Sequence, residues 1–107
     1  MLRDLLREEM EKQITIDAIQ KTVAEHFELR LADMTSRRRP INVAYPRQLA
    51  MYLSRQHTRL SLMEIGEAFG GRDHGTVIHA CKKIKQSMDQ DPEIKKLLDL
   101  LEHNLRH

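Results

Sequence analysis

The chain has 107 residues, of which 40% are hydrophobic, 32% charged and 4% aromatic, with no Trp. That is enough for one small domain and too little for two, and a core of Leu, Ile, Met and Ala suits an all-α domain better than a β-sandwich. One cysteine excludes an internal disulfide scaffold, and no apolar run or charged-then-apolar leader suggests a membrane or secreted destination, so the expected location is cytoplasmic.

Taken in chain order, Leu2, Leu5, Leu6 and Met10 recur at helical spacing and predict a first helix to about Glu11. Thr15 is placed to cap a second helix carrying Ile16, Ile19, Val23 and Phe27. A short helix is expected from Glu28 to about Met34, followed by an aperiodic loop, Thr35-Ser36-Arg37-Arg38-Arg39-Pro40. Pro46 suits the first turn of a helix running through Leu49, Ala50 and Leu53 to about Gln56. Ser61 and Glu64 have capping-box spacing, so a short helix begins at Leu62, bears Leu62, Ile65 and Phe69 on one side, and stops at Gly70-Gly71. Asp73 caps the next helix, which runs to about Gln90. Asp91-Pro92-Glu93 restarts the chain as a last helix with Ile94, Leu97, Leu98 and Leu101 inward.

The formal charge of +2 conceals an uneven distribution. Residues 1–34 carry 5 Lys/Arg against 8 Asp/Glu, residues 35–86 carry 10 against 3, and residues 87–107 carry 3 against 5. The basic middle has the electrostatic footprint of a polyanion-binding surface. Within it, the helix after Asp73 divides cleanly at 100° per residue. Val77, Cys81, Ile84 and Met88 form one stripe, whereas Thr76, His79, Lys82, Lys83 and Gln86 fall on the opposite half. A short helix, a glycine turn and a longer helix with a polar outer face make a helix-turn-helix, the arrangement that sets the start of its second helix into a major groove.

Each candidate residue also has a plainer reading. Asp73 is explained equally by capping alone, although an Asp can accept from cytosine N4. His74 has less structural reason to stand at an exposed first turn, and Thr76 suits a phosphate or a thymine methyl. A run such as Arg37-Arg38-Arg39 is often only a solvated loop, but an arginine on an arm, here the last of the three, fits a narrow A·T minor groove. Arg47, Gln48, Arg55, Lys82 and Lys83 suit phosphates, which position a protein without conferring sequence preference. His74 and His79 are five apart, off one helical face, which gives no metal site. Cys81 reads as a small core residue, and nothing in the sequence supports catalysis.

The run Gly70-Gly71-Arg72-Asp73-His74-x-Thr76-Val77-Ile78-His79-Ala80 resembles the signature of the DNA-binding domain of the DnaA family of bacterial replication initiators. The likeness extends over Ile14–Ala24, the Arg37–Arg39 loop, Ala44-x-Pro46-Arg47-Gln48-x-Ala50-Met51 and Ser61-Leu62-x-Glu64-Ile65-Gly66, thus essentially residues 14 to 90. It implies a helix-turn-helix domain of six to seven helices, Trp-repressor-like, over 13–107, with residues 1–12 as a connector helix from an ATPase module. ATP and Mg would belong to that module, leaving no cofactor for these residues. The implied partner is the double-stranded DnaA box at a replication origin, bound by a monomer on the bacterial nucleoid, with replication regulators as further partners. By analogy Asp73, His74 and Gly75 face major-groove bases, Leu62 and Met63 face thymine methyls, and Arg39 enters the minor groove. Arg37, Arg47, Gln48, Arg55, Thr76, Lys82 and Lys83 would hold phosphates.

Two positions depart from the family pattern. Gly75 stands where Ser or Thr is usual, which removes a hydroxyl and a methyl and adds flexibility that costs up to ~1 kcal/mol relative to Ala. Met63 stands where Pro is frequent. Two other functions fit parts of the sequence: a protein-interaction module docking a replication factor through the acidic helices 1–12 and 92–105, and a free-standing transcriptional regulator, which would need a dimer. Membrane contact through residues 1–12 is disfavoured by Glu8, Glu9 and Glu11, which oppose anionic lipid.

Overall fold

The computed structural model describes residues 14–37 and 41–106, and every regular element within them is an α-helix. The expected helix over residues 1–12 lies outside the described residues, as does Arg39. Thr15 opens α1 (Ile16–His26), its hydroxyl accepting from Ala18 N at 3.1 Å.

The end of α1 differs from the sequence expectation. Glu28 does not begin a helix; it takes φ 56°, in the left-handed region. Its N–H donates to Glu25 O at 3.2 Å and that of Leu29 donates to Ala24 O at 2.8 Å, together closing a Schellman motif. A side chain in this region costs about 1–2 kcal/mol, which the two satisfied carbonyls offset. Only then does α2 (Leu31–Thr35) begin, with Asp33 Oδ2 accepting from Arg30 N at 3.0 Å.

The third helix, α3 (Ile41–His57), starts five residues before Pro46, which therefore lies beyond the first turn where it was expected. Extending the helix backward buries Val43, which is 2% exposed. That burial is worth roughly 1.5–3 kcal/mol, comparable with the ~3 kcal/mol that an interior proline costs. Val43, Leu49, Ala50 and Leu53 make α3 the central element, which packs against α1, α2, α4 and α5.

The short α4 (Leu62–Ala68) carries the expected capping box: Ser61 Oγ accepts from Glu64 N, and Ser61 N donates to Glu64 Oε1, both at 3.1 Å. After it comes α5 (His74–Gln90), then α6 (Pro92–Arg106), whose Leu98 and Leu101 are buried as expected and which packs on α1 and α5. The core is one continuous cluster, from Ile19 and Val23 of α1 through Phe69 at the end of α4 to Ile84 of α5. Gln20 is buried among these apolar groups and its Nε2 donates to Ala68 O at 2.8 Å, fastening α1 to the last turn of α4. Among the described residues no helix is long and apolar enough to cross a membrane.

Candidate nucleic-acid interface

The helix-turn-helix is held by backbone that tolerates almost no bulk. Gly70 and Gly71 take φ 87° and 77°, which L side chains rarely adopt. Gly66 lies where α4 meets the chain entering α5. Arg72 N donates to Gly66 O at 2.9 Å, and a Cβ on Gly66 would stand 2.0 Å from Arg72 O. The crossing of α4 and α5 thus depends on a missing methyl group, which the capping pattern does not announce.

Asp73 caps α5 as its position predicts. Its Oδ1 accepts from Thr76 N at 2.8 Å and from the Thr76 hydroxyl at 2.9 Å. Asp73, His74, Gly75 and Thr76 are nonetheless all exposed, so the start of α5 is open to solvent. The inward stripe differs in detail from the expected one. Val77, Ala80 and Ile84 are buried, whereas Cys81 and Met88 are only partly covered. Thr76, His79, Lys82, Lys83 and Gln86 all face outward as expected. Burial pushes the Cys81 thiol up from its ordinary value and Arg55 pulls it partway back, so Cys81 is not a poised nucleophile.

An open groove of about 200 Å³ runs between α3 and α5, floored by Ala44, Met51 and Ala80. Gln48, Arg72, Thr76 and His79 stand at its polar walls. The fold therefore brings Gln48 and Thr76 together from opposite helices, and adds Arg72 and His79, to which the sequence pattern assigned no role there. Arg55 is exposed on α3, and Lys82 and Lys83 on α5. At the start of α4, Met63 is 70% exposed while Leu62 is half-buried. Arg37 is exposed beside the glycine turn.

Arg47 makes a contact that its expected role does not include. It is 5% exposed, and its Nε donates to Asp33 O at 2.8 Å, with Nη2 donating to the same oxygen. The residue ties α3 to α2 and also lines the groove beside Gln48. No periodicity argument could have found this, because the acceptor is a backbone carbonyl in another helix.

Comparison with known proteins agrees with this geometry. The family model of the bacterial dnaA protein helix-turn-helix matches residues 16–84. A solved structure described as the crystal structure of a DNA replication initiation factor is similar at a TM-score of 0.74 and 32% identity, covering 94% of this chain. The chain spans 31% of the length of that structure. With a match running from α1 through the inward stripe of α5, the chain belongs to the bacterial DnaA helix-turn-helix family, which implies DNA binding in replication initiation.

Proposed function

We propose that this chain binds double-stranded DNA sequence-specifically, at DnaA boxes of a bacterial replication origin, as the DNA-binding part of the initiator. The observation that carries the reading is the uncovered start of α5, where Asp73, His74, Gly75 and Thr76 stand exposed directly after a rigid glycine turn. In this reading those residues approach base edges in the major groove, with Leu62 and Met63 against thymine methyls. Arg39 enters the adjacent minor groove from the arginine arm. Arg37, Arg47, Gln48, Arg55, Thr76, Lys82 and Lys83 hold the backbone, and Arg47 also keeps α2 on α3. The chain binds as a monomer.

Fluorescence-anisotropy titration with a DnaA-box duplex and a scrambled duplex, over a series of salt concentrations, tests the reading. A preference of ~10³-fold or more for the box is expected. His74→Ala should lower box affinity by ~1–3 kcal/mol and leave scrambled-duplex binding nearly unchanged. Equal, steeply salt-dependent binding of both duplexes would reduce the function to non-specific phosphate contact.

A further inference from the structure

The stem of the arginine arm, Thr35 to Arg37, lies on the glycine turn through two separate contacts, with the Arg37 side chain close by. Gly70 meets it backbone to backbone: a Cβ there would come within 2.5 Å of Ser36 O and 2.9 Å of Thr35 O. Arg72 Nη2 donates to Ser36 O at 3.4 Å and to Arg37 O at 3.3 Å. Arg37 Nε is the nearest neighbour of a Cβ built on Gly71, at 4.0 Å. The two segments are 35 residues apart in sequence, so this junction is made by the tertiary fold alone.

We infer that Arg72 is a positioning residue for DNA binding. It fixes the arm stem, and with it the Arg37 side chain, at a set distance from the start of α5, so that arm and recognition helix meet one duplex in one register. The inference rests on the DNA-binding reading above and adds a dependence that the reading does not contain. If Arg72 merely touched a phosphate itself, it and Arg37 would contribute independently. If Arg72 holds the stem that carries Arg37, removing either residue frees the same phosphate.

The salt dependence of affinity separates these cases, because each phosphate that the protein no longer neutralises lowers the slope of log K against log salt by about one. Arg37→Ala and Arg72→Met are each expected to lower the slope by about one, and the double variant also by about one rather than two. Circular-dichroism melts establish that each variant is folded. Arg72→Gln, a milder change that also removes the charge, is carried in parallel and read through the same cycle with Arg37→Ala. A decrease of about two in the double variant overturns the inference by making Arg72 a phosphate ligand in its own right. An unchanged slope in the folded Arg72 variants overturns it, and so does an unchanged slope in Arg37→Ala, which would leave nothing to position. Failure of the proposed function is a different result, namely that the unsubstituted chain does not prefer the box over the scrambled duplex.

Discussion

Gly75 and Gly66 sit in consecutive elements of one motif, yet a methyl group added to each meets opposite surroundings. A Cβ on Gly75 touches only Asp73 Oδ1, at 3.5 Å, an ordinary contact. Gly75→Ala should therefore stabilise the first turn of α5 by up to ~1 kcal/mol in denaturant titration. Gly66→Ala forces Cβ to within 2.0 Å of a backbone carbonyl and should cost roughly 3 kcal/mol or more, or prevent folding. Similar stabilities for the two variants would contradict the close approach of α4 to the chain entering α5. Glu28 presents the reverse case, a side chain in a backbone well that suits glycine. Glu28→Gly should raise stability by ~0.5–1 kcal/mol, seen as an increase of several degrees in Tm. An unchanged or lower Tm would show that the left-handed turn is not under strain.

At the scale of the helix, capping and base reading by Asp73 can be separated. Asn caps about as well as Asp, so Asp73→Asn should leave stability within ~0.5 kcal/mol while exchanging an acceptor-only group for one that also donates. Lower affinity for the box at unchanged Tm would assign Asp73 to base contact. Unchanged affinity would leave it a cap alone. The caps themselves were legible in the sequence because they are local: Thr15, Ser61 and Asp73 each bond three residues along. The starts of α2 and α3 were not. Propensity places Pro46 in a first turn, but Val43 gains burial only if the helix begins earlier. Glu28 looks like a helix former, yet two carbonyls of α1 capture the chain at that point. The site was half legible for the same reason. The polar face of α5 follows from a repeat of 3.6 residues, whereas Arg47, Arg72 and Gln20 act on acceptors 14, 36 and 48 residues away.

Across the whole molecule, the basic middle of the sequence supplies the central helix α3 and the helix-turn-helix. On either side of it, α1 and α6 pack on one another, and α6 itself balances three acidic residues against three basic ones. A basic segment of this kind raises the rate of encounter with a polyanion at low salt. Arg47 belongs to this scale, since it joins α2 to α3 from within. Arg47→Met should lower stability by about 1–3 kcal/mol in the absence of any DNA, because it leaves the Asp33 carbonyl without its donor. Full stability in that variant would show that this bond does not hold α2 on α3.

The buried bond from Gln20 to Ala68 has a mechanical consequence. It joins the first described helix to the end of α4, just ahead of the glycine turn. Separating the two would leave a side-chain amide and a helix-terminal carbonyl without each other, a penalty of about 1–3 kcal/mol that couples them. A displacement of α1 therefore loads the turn that leads into α5. In this way Gln20 serves as a drive pin between the handle of the domain and its tip.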